Sequence, residues 1–256
     1  NINQLNFPFK RYQMQKAWRG ERPQDGRFRE FLQCDIDVVD TRPIPLHFDA
    51  EIPIIMHEAI ESIGAGPLTT KVNNRKILEG FYSGLSISDT SNTIRIIDKL
   101  DKIGTDGVAT MLSKDLKLTP PIIDMVLNLA EIKGAGHSVI DQIRDLNVKS
   151  SLLEEVINEL EFVIQQLEKY KAGTFLVDMS IARGLAYYTG TVYESRFTEY
   201  PNFPAICGGG RYDNLVGDFV NKKLPGIGIS IGLTRIFAKL MREGKIQANR
   251  KTPTDI

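Results

Sequence analysis

The sequence predicts an α+β fold: an antiparallel sheet flanked by helices and interrupted by an all-helical insertion. Three observations carry this. Polar and apolar residues alternate with a period of two over Phe9–Trp18 and Phe31–Val39, the mark of strands with one face in a core. From about Ser91 to Lys171 apolar residues recur at three and four, and strand-like alternation disappears. Beyond Lys171 the strand signals return. Strands, then helices, then strands divide the chain into residues 1–89, a first part of the core, 90–172, the insertion, and 173–256, the second part of the core.

The first two strands are joined by a charged loop, RGERPQDGRFRE. In the second strand Leu32, Cys34, Ile36 and Val38 share one face and Gln33, Asp35 and Asp37 the other, so the polar face can line a cleft. Asp49–Ile63 has helical spacing through Ile52, Ile55, Met56, Ala59 and Ile60, and stops at Gly64. A short strand over Thr70–Asn73 leads into a helix from Asn74 to about Leu85. Within the insertion the clearest helix is Leu152–Tyr170, whose apolar stripe runs from Leu152 through Val156, Leu160 and Val163 to Leu167. Ser151 and Glu154 read as the capping box at its start. Strands over Thr174–Asp178, Tyr187–Glu194, Ala205–Cys207 and Gly226–Gly232 follow, then a helix over Leu233–Glu243 that ends at Gly244.

Composition narrows the function classes. Of 256 residues 42% are hydrophobic, enough for a substantial core, so a disordered or fibrous chain is excluded. No apolar run approaches the roughly 18 residues of a membrane span, and Asn1-Ile2-Asn3-Gln4 does not open a signal peptide, which points to a soluble, cytoplasmic protein with no membrane partner. Lys plus Arg and Asp plus Glu are 32 each, so no global field draws a polyanion and any nucleic-acid contact is local. Cys34 and Cys207 stand far apart with no His or Cys at ligand spacing, which argues against a zinc site and leaves no metal held by the protein alone.

Three segments carry chemistry. The loop from Arg19 to Glu30 sets Arg19, Arg22, Arg27 and Arg29 within eleven residues, with Gly26 for the turn and Pro23 to stiffen it. Guanidinium groups grouped at a sheet edge suit a polyphosphate, unless they simply pair with Glu21, Asp25 and Glu30 in a solvated turn. In GIGISIGLTR, Gly226, Gly228, Ser230 and Gly232 leave one strand face nearly bare, where a flat ring can lie, or where a helix can pack closely. Arg235 falls in the first turn of the next helix, where its charge opposes the dipole, and this suggests a phosphate partner. In ARGLAYYTGTVYE strand parity sends Tyr187 and Tyr188 to opposite faces, and in CGGGRYD the run Gly208–Gly210 offers the floor of a small pocket. Neither glycine run fits a P-loop or a dinucleotide fingerprint. His47, His57 and His137 are scattered, and no nucleophile stands in a recognisable setting, so the chain suits a reaction whose nucleophile is already charged.

Together these segments resemble the histidyl-tRNA synthetases, a class II aminoacyl-tRNA synthetase family. WRGERPQDGRFREFLQCDID is similar to the second class motif, ARGLAYYTGTVYE and ICGGGRYD to two histidine-specific signatures, and GIGISIGLTRI to the third class motif, in family order. The resemblance implies an antiparallel active-site sheet, ATP-dependent activation of L-histidine, and transfer to the 3′ end of tRNA(His) by a homodimer. It implies that Arg19 holds the α-phosphate, that Arg27 and Arg235 hold the bent β,γ-phosphates, and that Mg2+ arrives bound through those phosphates. Phe28 or Phe31 would stack on adenine against the strand that ends at Gly232, and Arg183 would be the catalytic arginine beside the α-phosphate together with Arg19. Gln33 would hold the amino or carboxylate end of histidine, Asp37 and Tyr188 the two ring nitrogens, with Tyr212 and the turn of Gly208, Gly209 and Gly210 shaping the pocket and Gln24 approaching the tRNA acceptor end.

The resemblance departs at Ala186, where the family carries Asp. The first class motif, the family's Arg-Pro-Glu loop and an anticodon-binding domain are not found, so the natural protein is expected to extend at both ends. A non-catalytic relative, the synthetase-like regulatory subunit of ATP phosphoribosyltransferase, is the alternative, and a synthetase-like sensor module of a translation-factor kinase is a third.

Overall fold

β-branched and aromatic residues in alternation build the strands, and one sheet collects them. The computed structural model describes residues 4–20, 22–182, 187–213, 215 and 223–247. Among these the strands are β1 (Phe9–Trp18), β2 (Glu30–Val39), β3 (Leu68–Asn74), β4 (Lys133–Gly134), β5 (Phe175–Asp178), β6 (Thr191–Phe197), β7 (Cys207–Tyr212) and β8 (Gly226–Ile231). They pair in the order β1-β2-β8-β7-β6-β3-β5-β4, antiparallel throughout except for β3 with β5. The helices are α1 (Phe48–Ser62), α2 (Arg75–Gly84), α3 (Thr90–Ile97), α4 (Leu100–Leu116), α5 (Pro120–Glu131), α6 (Ser138–Asp145), α7 (Ser151–Tyr170) and α8 (Leu233–Arg242).

The back of the sheet carries the core. Ile52, Met56 and Ile60 of α1 and Leu160, Val163 and Leu167 of α7 are buried in one apolar cluster with Val72 and Tyr193 of the sheet. Arg211 of β7 points to this side: its Nε donates to Asp49 Oδ1 at 3.2 Å, its Nη2 to Asp49 Oδ2, and its Nη1 to Ile44 O at 3.0 Å. The arginine of GGGRYD therefore fastens the start of α1 to the central strands. Asp49 is fully buried, and the pair is the kind whose geometry must be complete to offset desolvation.

Several local expectations are corrected. The helical stretch holds α3 to α7 but also β4, whose Lys133 and Gly134 pair with Asp178 and Val177 and add an edge strand to the sheet. The cap of α7 is Ser150, whose Oγ accepts from Leu153 N at 3.4 Å, and Ser151 is the first helical residue, so the Ser151–Glu154 box does not form. β6 starts at Thr191, so Tyr187 and Tyr188 precede it and strand parity does not separate them; their rings lie 4.4 Å apart. Gly208–Gly210 is not a turn but the middle of β7. A Cβ at Gly209 would overlap Gly228 O of β8, which is why that strand tolerates, and needs, glycine there.

Candidate active site

The front of the sheet is polar because the register lines up its polar residues in rows. One row runs Asp35, Ser230, Gly208, Glu194 and Lys71 across β2, β8, β7, β6 and β3. The next runs Arg11, Asp37, Gly228, Gly210 and Val192. Above the first row lies an open cleft of about 420 Å³. Gln33, Ser230, Gly208 and Glu194 form its floor, and Arg19, Arg27, Phe28, Phe31, Gly232 and Arg235 form one wall. The facing wall is Ile97, Asp98, Asp101 and Lys102, from the corner between α3 and α4.

The arginine wall is built by a tight turn. Gln24 and Arg27 exchange backbone hydrogen bonds at 3.3 and 2.8 Å around Gly26, whose φ of 68° suits glycine. With its amide oxygen turned toward Arg27, Gln24 accepts from Nε and Nη1 at 3.1 and 2.9 Å. Arg235 donates to Gly26 O and Ala205 O, clamping the turn to the segment that leads into β7. Thr234 Oγ1 accepts from Leu32 N at 2.7 Å and ties α8 to β2. Arg19 lies over the Phe31 ring, 5.3 Å from its centroid, a cation–π contact that holds both groups at the rim. On the floor Gln33 Nε2 donates to the two oxygens of Asp35 at 2.8 and 3.0 Å, and Arg196 holds Glu194 through Nε at 2.9 Å.

Beside the cleft stands a second cluster over the bare row. The Asp37 carboxylate rests where a Cβ of Gly228 would be, the Tyr212 ring where a Cβ of Gly226 would be, and the Tyr188 ring lies 2.9 Å from where a Cβ of Gly210 would be. Tyr212 donates to Asp37 Oδ1 at 2.8 Å, and Tyr187 donates to the Tyr188 hydroxyl at 3.3 Å. Burial first, then the adjacent Asp37 carboxylate, pushes the Tyr212 pKa far above the tyrosine range, so it remains a donor. The flat ring expected against the glycine strand is in part the protein's own Tyr212.

Of the expected site residues, Arg19, Arg27, Phe28, Phe31, Gln33, Gly208, Gly232 and Arg235 meet in the cleft, and Asp37, Tyr188 and Tyr212 in the adjoining cluster. Gln24 sits in the supporting turn, Gly209 packs against β8, and Arg183 and Ala186 lie outside the described residues. The α3–α4 wall had no local signal, because helical periodicity does not say which corner folds back over a sheet. Arg11 was equally silent until the β1–β2 register placed it opposite Asp37.

An antiparallel sheet with an arginine-bearing loop over its polar face matches the frame of an aminoacyl-tRNA synthetase. The profile of the histidyl-tRNA synthetase family matches residues 6–236. A histidine–tRNA ligase of Thermobifida fusca is 52% identical over 256 residues, all of this chain and 58% of that protein. One of Clostridium tetani is 44% identical over 99% of this chain and 58% of its own length. The crystal structure of histidyl-tRNA synthetase from Nostoc sp. PCC 7120 superimposes with a TM-score of 0.88 at 40% identity, covering 98% of this chain and 58% of that one. The chain belongs to the histidyl-tRNA synthetase family, and it spans a little under three fifths of the length of these relatives. A Bacillus halodurans protein described as an ATP phosphoribosyltransferase regulatory subunit/histidyl-tRNA synthetase shares the fold at a TM-score of 0.79 and 18% identity.

Proposed function

We propose that this chain carries the amino-acid-activating site of a class II histidine–tRNA ligase. The observation that carries the reading is the junction of two sites on one sheet face: an arginine- and phenylalanine-walled cleft beside a cluster that offers an acceptor, Asp37, and a donor, Tyr188. In this reading adenine stacks at Phe31 or Phe28, the α-phosphate lies at Arg19, and Arg27 and Arg235 hold the β,γ-phosphates. Histidine lies over Gly208 with its ring between Asp37 and Tyr188 and its amino or carboxylate end at Gln33. A carboxylate oxygen of histidine forms a bond to the α-phosphorus as the bond from that phosphorus to the bridging oxygen breaks, and pyrophosphate leaves. No general base is required, so fixed donors do the work: Arg19 at the cleft and, by its place in the motif, Arg183 are assigned to the charge that grows on the phosphoryl oxygens. A hydroxyl at the 3′ end of tRNA(His), entering past Gln24, then attacks the acyl carbon, the bond from that carbon to the phosphate oxygen breaks, and AMP leaves. Mg2+ would be brought on the phosphates of ATP, whose oxygens are its ligands.

A second copy is the expected partner in a homodimer. Tyr12, Met14 and Trp18 of β1 are 79, 69 and 67% exposed on the sheet face turned from the cleft, an apolar surface that supports a covering chain. Among the described residues no helix is long and apolar enough to cross a membrane, and a cytoplasmic setting is part of the proposal. The regulatory-subunit reading shares the fold, and the arginines gathered in the cleft favour activation. Histidine-dependent exchange of pyrophosphate into ATP by the whole protein decides: exchange with histidine and with no other amino acid is expected, and histidine binding without exchange would favour the regulatory role.

A further inference from the structure

The outermost side chain of the bare row is Arg11, on β1 opposite Asp37. Its Nε donates to Asp37 Oδ2 at 2.9 Å, and its Nη1 to Gln13 Oε1 at 3.0 Å. Tyr212 occupies one site of the other carboxylate oxygen, Oδ1. Each carboxylate oxygen offers two acceptor sites, so one on each remains for a ligand N–H. What Arg11 changes is the charge. An arginine guanidinium keeps its proton at any working pH, so the Arg11–Asp37 pair is neutral as a unit. A lone carboxylate would draw a cation to this position, whereas the pair offers an acceptor without that pull.

The opposite side of the cluster has the complementary bias. Tyr188 accepts from Tyr187, which leaves its own proton to give. An acceptor at Asp37 and a donor at Tyr188 match a neutral imidazole, with one N–H and one bare nitrogen; an imidazolium carries N–H on both. The groups around Asp37 are Arg11 from β1, Asp35 two positions along β2 and held by Gln33, and Tyr212 from β7, while β8 presents Gly228; next to Tyr212 stands Tyr187, its ring 6.5 Å away, and beside it Tyr188. Within that set Arg11 is the cation.

We infer that Arg11 is a specificity-determining positioning residue: by neutralising and orienting Asp37 it makes the ring site take neutral imidazole and reject imidazolium and other cationic side chains. The inference rests on the reading of Asp37 and Tyr188 as the ring contacts. It is tested by the KM for histidine in pyrophosphate exchange by the whole protein across about pH 5.5 to 8.5. The ring titrates near pH 6.5, so its neutral form falls about tenfold between neutrality and pH 5.5, and the KM of the unmodified protein rises about tenfold. Arg11→Met flattens that rise to about twofold or less with the KM for ATP unchanged, and Arg11→Lys, which keeps the charge, restores it. In an Asp37→Asn background Arg11→Met has no further effect, because Arg11 acts through Asp37. A full tenfold rise in Arg11→Met, or an undiminished Arg11→Met effect beside Asp37→Asn, overturns the inference. Absence of histidine-dependent exchange, or a histidine KM untouched by Asp37→Asn, instead overturns the functional reading beneath it.

Discussion

Replacing Arg211 with Met should destabilise the protein more than any change in the cleft, because it strands a charge. Asp49 is fully buried and the Arg211 side chain is 11% exposed. The guanidinium contacts both Asp49 oxygens and also caps Ile44 O at 3.0 Å and Pro45 O at 3.4 Å. Breaking a buried pair by removing one partner costs about 3–5 kcal/mol. The residual exposure of Arg211 places the expectation near about 3 kcal/mol, and with a urea slope of about 3 kcal/mol/M that is a fall of about 1 M in midpoint. Circular dichroism during urea unfolding reads it. Arg211→Met combined with Asp49→Leu removes both charges and should recover at least half of the loss, although Ile44 O and Pro45 O stay without their donor. A single-variant shift below about 0.3 M, or a double variant as unstable as the sum of the singles, would refute the claim that a stranded carboxylate is the cause.

Three further outcomes are expected. His57 is buried with both ring nitrogens lacking a hydrogen-bond partner, and burial pushes its pKa below the usual value in spite of Glu61. The unfolded chain therefore binds a proton that the fold does not, so stability is full above about pH 6.5 and declines as pH falls below it; His57→Phe should remove that slope in melting temperatures taken at about pH 7.5 and 5.5. For Asp178 burial works to raise the pKa, but the Lys71 contact at 2.7 Å and Ser180 outweigh it and the pKa is lowered. Its contribution is present above the unfolded value of about 3.9 and lost as pH falls through the folded one, so Lys71→Met should move the acid-unfolding midpoint to higher pH. Arg183→Ala should lower the exchange turnover about 10²- to 10³-fold with smaller changes in either KM, and Lys should rescue poorly because one ammonium cannot reproduce a planar two-point contact.

Much of the sheet was legible because half-buried strands alternate. β1 and β2 announce themselves through period two, and the polar row of Gln33, Asp35 and Asp37 follows from parity alone. β7 was misread because three consecutive glycines look like a turn when viewed alone. Its strand conformation is imposed by β6 and β8 on either side, and the absent side chains make room for the Tyr188 ring and the β8 backbone. The tyrosine pair was misread for the opposite reason: aromatic residues are typical of strands, yet here they pack on each other ahead of β6. The α3–α4 wall and the Arg11–Asp37 pair depend on which distant segments meet, and no periodicity encodes that. Arg211 shows the limit of motif reading, since the charged residue of GGGRYD turns away from the cleft that its glycine and tyrosine neighbours shape.

In the proposed function ATP and histidine meet over Gly208, between the arginine wall and the tyrosine cluster. A crystal structure of the protein with a non-hydrolysable histidyl-adenylate analogue tests it most directly. The imidazole is expected between Asp37 and Tyr188, the α-phosphoryl mimic within hydrogen-bond reach of Arg19, and the adenine on Phe31 or Phe28. An analogue bound with its ring away from Asp37, or lying outside the cleft between Arg19 and Asp98, would contradict it.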